Sequence, residues 1–236
     1  MLINLALPTD NRELGFMTWI KICGTTNLED ALTTVDAGAD ALGFVFYEMS
    51  PRKIDVESAR EIVNNLPPNI EKVGVFVNEP VEKILNTMSQ AGLTAAQLHG
   101  VESRSPEYIR ALRTGGDVKL FLVLPATEIS GGLESKINGE SGISAVFFDS
   151  GTPQLPGGTG RTFDWKTAAF GIRAIGHKVK VVVAGGLNST NVADAIRILM
   201  PWGVDVVSGV EARPGKKDPQ KVRDFIDAVR NVETKS

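Results

Sequence analysis

Short apolar, β-rich runs recur along this chain, and between successive runs lies a segment with the markings of a helix. The first run covers residues 19–23 and stops at Gly24; Asn27 is a suitable N-cap for a helix over 28–37, which Gly38 closes. Further strands are expected at 40–47, 72–77, 94–98, 118–124, 144–148, 180–184 and 204–207. Their helices fall at 56–65, 80–91, 105–114, 165–175, 188–199 and 219–232, with 126–142 a Gly- and Ser-rich stretch of weak helical signal. Apolar runs without alternation belong to strands buried on both faces, as in a parallel sheet covered by helices. Eight such units within 236 residues predict a single closed (β/α)8 TIM barrel, with an open doubly wound sheet as the alternative. The barrel domain is expected over 17–236, with 1–16 an N-terminal extension of unassigned role and Met17 a possible second start.

Composition narrows the function classes. The net charge is -3 and no basic tract is concentrated anywhere, which argues against nucleic acid as a partner. No apolar run is long enough to span a membrane, and the N-terminus lacks the basic and apolar regions of a signal peptide. The single cysteine cannot form an internal disulfide, which fits a cytoplasmic location. Both monomer and homodimer remain open.

In a (β/α)8 barrel the active site lies at the C-terminal ends of the strands, so polar residues there become candidates. Cys23 ends the first strand; it is either a small buried apolar residue or a nucleophile or general base. Asp149 ends the sixth; it either caps the following turn or acts as an acid. Together they offer one base and one acid on separate strands, a pairing suited to proton-transfer isomerisation. Arg52, in the loop after strand two, is either solvated or holds a carboxylate. His99, following strand four, either contacts substrate or bonds within its loop. Asp205 in strand eight reads as an inward polar support; Glu211 and Arg213 read as partners of one another or of solvent. His177 falls at the opposite end of the barrel, with a structural or solvent-facing role.

Three glycine-bearing loops follow strands six, seven and eight: Gly157, Gly158, Thr159 and Gly160; then Gly185 and Gly186; then Ser208 and Gly209. Any one alone only permits a turn. All three in the last loops point to a phosphate cradled by backbone amides, hence to a small phosphorylated substrate. No metal-ligand spacing occurs, and no dinucleotide fingerprint follows the first strand, so no metal or cofactor is expected.

The segments Lys21-Ile22-Cys23-Gly24, Ser50-Pro51-Arg52, Gln97-Leu98-His99-Gly100, Asp149, residues 157–163, Ala184-Gly185-Gly186-Leu187 and Ser208-Gly209-Val210-Glu211 occur in this order across nearly the whole chain. In this the chain resembles the phosphoribosylanthranilate isomerase family of tryptophan biosynthesis. The resemblance implies an Amadori rearrangement without cofactor. Asp149 would be the general acid on the ribose ring oxygen and Cys23 the general base at C2′. Arg52 would orient the anthranilate, His99 would line its pocket, and the late loops would hold the phosphate. Rivals are a histidine-pathway aminoaldose isomerase, whose first strand would end in aspartate where Cys23 stands, and a non-catalytic barrel that binds a phosphorylated metabolite. An indole-glycerol-phosphate synthase would need a lysine-based set that Lys21 does not supply convincingly.

Overall fold

The computed structural model describes residues 17–100, 105–129, 142–150 and 162–233. Eight parallel strands close into a barrel: β1 (Trp19–Cys23), β2 (Ala41–Val45), β3 (Glu71–Val77), β4 (Ala95–His99), β5 (Lys119–Pro125), β6 (Ala145–Asp149), β7 (Lys180–Val183) and β8 (Gly203–Val206). Closure is made by β1 against β8, with Lys21 level with Asp205, and by β1 against β2, with Cys23 level with Gly43. Seven α-helices are described: α1 (Leu28–Asp36), α2 (Val56–Asn64), α3 (Val81–Ala91), α4 (Pro106–Gly115), α5 (Trp165–Gly176), α6 (Val192–Leu199) and α7 (Pro219–Glu233). The expected closed barrel is therefore the architecture.

Strand residues alternate between two cores. Ile20, Ile22, Leu42, Phe44 and Leu98 join the helices in the outer core. Ala41, Val73, Ala95, Phe121, Ala145, Phe147 and Val182 fill the barrel interior. Trp19 and Trp202, stacked at 5.0 Å between ring centroids, pack against that interior set. Among the described residues, side-chain caps start five helices: Asn27, Asp55, Ser105, Asp164 and Asp218 each accept from a backbone N–H in the first turn.

Some boundaries moved for physical reasons. α6 begins at Val192, not 188, because the polar side chains before it close a turn. Asn188 Oδ1 accepts from the Thr190 N–H at 2.9 Å, and Asn191 Nδ2 donates to the Gly186 carbonyl at 3.0 Å. After β5 the described chain makes a 3-10 turn, Ala126–Glu128, and residues 130–141, the rest of the stretch of weak helical signal, lie outside the described residues. A hairpin that the sequence reading lacked follows β8: β9 (Glu211–Arg213) pairs antiparallel with β10 (Lys216–Lys217). Pro214 and Gly215, the latter at φ +78, make its turn, and this Pro-Gly pair was the available signal.

Candidate active site

Cys23, His99 and Asp149 are the last residues of β1, β4 and β6, so all three stand at the same end of the barrel. His99 proves to be part of its strand, level with Val77, not the start of the loop. Cys23 packs with Val45 and Val75 and is buried. Its thiol needs the glycine beside it: a Cβ on Gly43 would lie 2.5 Å from Sγ. Burial pushes the Cys23 thiol up; the Lys21 and Lys217 ammoniums work against that rise, and Asp205 adds to it.

One layer below lies a buried ion pair. Lys21 Nζ donates to Asp205 Oδ1 at 2.9 Å, and Lys21 is fully buried. Burial disfavours the Lys21 charge, yet Asp205 and the thiol hold its ammonium above the ordinary value. The Asp205 carboxyl is itself pushed up by burial. The inward support expected of Asp205 is thus present, and its partner is Lys21, which the sequence sets only against an indole-glycerol-phosphate synthase pattern. The signal was parity: Lys21 and Cys23 are two apart on one strand and share a face.

Burial, together with the Lys21 charge, lowers His99 to about 4, so the imidazole is neutral at pH 7. Its Nε2 is 3.1 Å from Gln97 Nε2; the amide nitrogen only donates, so the ring nitrogen accepts.

Asp149 is half-buried and lines a cleft with Gly185, Gly186, Asp205, Val207 and Ser208. The last loops reach this cleft by packing on one another. A Cβ on Gly185, whose φ is +82, would lie 2.3 Å from Ser150 Oγ. A Cβ on Gly209 would lie 2.0 Å from the Leu187 carbonyl oxygen. Gly158, Thr159 and Gly160 lie outside the described residues.

Arg52 sits on the opposite flank, its backbone N–H donating to Ser50 Oγ at 3.2 Å. Its side chain makes a two-pronged contact with Glu211: Nε to Oε1 at 2.9 Å and Nη2 to Oε2 at 2.8 Å. This corrects the reading of Glu211 as a partner of Arg213 or of solvent; Glu211 is buried and Arg213 is exposed. The reason is the hairpin turn, which points Glu211 inward where sequence proximity suggested a local pair. Lys217 Nζ donates both to Glu211 Oε1 at 3.2 Å and to the carbonyl oxygen of Cys23. Asp149, Gly185, Gly186 and Ser208 therefore form one group, and Cys23, Arg52, Glu211 and Lys217 another. Asp205 links the two through Lys21: it lines the cleft and bonds Lys21, whose ammonium acts on the Cys23 thiol. His177 caps the end of α5 and is exposed, away from these groups. Among the described residues no cluster of histidine, cysteine and carboxylate side chains could hold a metal ion, and no helix is long and apolar enough to cross a membrane.

Residues 20–228 match the family model described as N-(5'-phosphoribosyl)anthranilate (PRA) isomerase. A relative of that name from Pelobacter propionicus is 46% identical over 228 residues, covering 93% of this chain and 99% of the relative. A solved phosphoribosyl anthranilate isomerase in complex with reduced 1-(o-carboxyphenylamino)-1-deoxyribulose 5-phosphate is 38% identical, with a TM-score of 0.77 over 91% of this chain and 100% of the other. Monomers of a dimeric isomerase from Thermotoga maritima are equally similar, at 38% identity and TM-score 0.77 over 91% and 100% of the two chains.

Proposed function

Because this chain belongs to the N-(5'-phosphoribosyl)anthranilate isomerase family, we propose that Cys23 is the base and Asp149 the acid of that family's reaction. The chain is an isomerase of tryptophan biosynthesis, acting on N-(5'-phosphoribosyl)anthranilate. Asp149 donates a proton to the ribose ring oxygen as the C1′–O bond breaks, and the anilino nitrogen supplies the electron pair that forms the imine. The Lys21 and Lys217 ammoniums favour the thiolate of Cys23 against the effect of burial, and in that form it takes the proton from C2′; the C2′–H electron pair becomes the C1′=C2′ bond and the imine pair returns to nitrogen, giving an enolamine. Tautomerisation to the ketone gives 1-(2-carboxyphenylamino)-1-deoxyribulose 5-phosphate. No external oxidant or cofactor enters this sequence.

The observation that supports the pairing is their common end of the barrel, on β1 and β6, with Asp205 linking their surroundings through Lys21. Fixing the substrate at its two ends would hold C2′ between the two groups. Gly158, Thr159, Gly160, Gly185, Gly186, Ser208 and Gly209 are our choice for the phosphate, Arg52 for the aryl carboxylate. His99, neutral, would flank the ring without adding charge. The enzyme is placed in the cytoplasm, working as a monomer or a homodimer. Turnover of freshly generated substrate, followed by loss of anthranilate-type fluorescence, tests the reading. Conversion is expected; binding without conversion would favour the non-catalytic barrel.

A further inference from the structure

The hairpin after β8 carries chemistry that neither a base, an acid nor a phosphate site explains. Glu211 is buried at its start and Lys217 is buried at its end. Glu211 occupies Nε and Nη2 of Arg52. It also accepts from the Gly215 N–H at 3.2 Å, so its own carboxylate is pinned by the hairpin turn. Burial works against the Glu211 charge, but Arg52 and Lys217 hold its carboxyl below the usual range. Lys217 bonds Glu211 and the Cys23 carbonyl, while its backbone N–H donates to Asp30 Oδ2 at 2.7 Å. The strap thus joins the loop after β2, the end of β1 and the first turn of α1.

On the other side Arg52 is confined by Gly24, where a Cβ would lie 2.8 Å from Arg52 Cδ. With Nε and one face of Nη2 engaged, the guanidinium can offer a carboxylate chiefly its Nη1 edge. The two cations and one carboxylate of this cluster leave an excess positive charge for a monoanion.

We propose that Glu211 is a positioning residue that fixes the Arg52 guanidinium for the substrate's aryl carboxylate, and that Lys217 ties this fixed pair to the strand end bearing Cys23. The inference rests on the reading of Arg52 given above and deepens it. It has a consequence that a merely structural ion pair lacks: loss of Glu211 should be felt only by ligands that carry the carboxylate.

The test uses the full chain and two stable reduced product analogues, one with the aryl carboxylate and one without it, with affinities measured by calorimetry. Glu211→Gln should weaken the carboxylated analogue about 10-fold and leave the other within about twofold, as for loss of one charge-assisted contact. In turnover it should raise KM by a similar factor, with kcat within about threefold. Arg52→Ala should weaken the carboxylated analogue at least as much. Equal weakening of both analogues by Glu211→Gln, or of neither, overturns the inference while Arg52→Ala stays selective. If Arg52→Ala itself is not selective, the carboxylate assignment fails and the inference with it. Should Glu211→Gln not fold, Glu211→Asp keeps the charge but shortens its reach, and the same selectivity is expected of it; its absence there overturns the proposal equally.

Discussion

Lys21 Nζ lies 2.9 Å from Asp205 Oδ1 with both side chains buried inside the barrel. Two charges removed from water cost more than their mutual attraction commonly returns, and breaking such a pair strands the survivor. Lys21→Met should therefore cost about 3 kcal/mol of stability, whereas Lys21→Met with Asp205→Leu should cost clearly less. Denaturant unfolding of the two variants checks this. Equal losses would mean that an Asp205 left without its partner carries no penalty of its own, against this account.

Gly43 leaves room for the Cys23 sulfur. A methyl group there would meet Cys23 Sγ at 2.5 Å and the Cys23 backbone at 3.1 Å. Gly43→Ala should displace the thiol and lower kcat about 100-fold, since small misplacements of reacting groups carry large rate penalties. The melting temperature should drop only modestly, because the side chain that must yield is a small one at a strand end. Near-normal kcat in a folded Gly43→Ala protein would argue that the position of the sulfur does not matter.

The buried imidazole gives a pH dependence of known sign. His99 is lowered to about 4, below the ordinary 6.5, so the unfolded chain takes up the proton first. The associated stability is fully present above about pH 6.5 and is lost as pH falls toward 4. At pH 4.5 the loss from this one group should be about 2 to 3 kcal/mol. His99→Gln should shrink the difference in unfolding free energy between pH 7 and pH 4.5 by that amount, measured against wild type to cancel the carboxylates. An unchanged difference would count against a buried neutral histidine.

Gly185 tests the phosphate end. Its φ of +82 disfavours any side chain, and its added Cβ would collide with Ser150 Oγ and the Ser150 backbone nitrogen. Gly185→Ala should raise the inhibition constant of inorganic phosphate about 10-fold or more, reflecting lost amide contacts. No change would move the phosphate away from the loop after β7.

Much of this arrangement was legible in the chain. Strands apolar on both faces give the parallel barrel, and an abrupt polar residue, Cys23 or Asp149, marks the C-terminal end of its strand. What escaped was relational. Glu211 reads as a neighbour of Arg213, because nothing in sequence spacing says that the turn at Gly215 sends it 159 residues away, to Arg52. Lys21 reads only as a lysine within the first strand, two residues before its end, until closure of the barrel places it level with Asp205. Local signals set the elements; contacts made by closure set their partners. Asn188 shows the converse, a local turn overriding a good helical pattern.

The most direct test of the acid and base assignment is steady-state turnover by Cys23→Ala and Asp149→Ala, with binding of the reduced product analogue measured in parallel. Each variant should lose about 10²- to 10⁴-fold in kcat, as for removal of a proton-transfer group, while still binding the analogue. A folded variant of either kind that turns over at close to the wild-type rate would contradict the account.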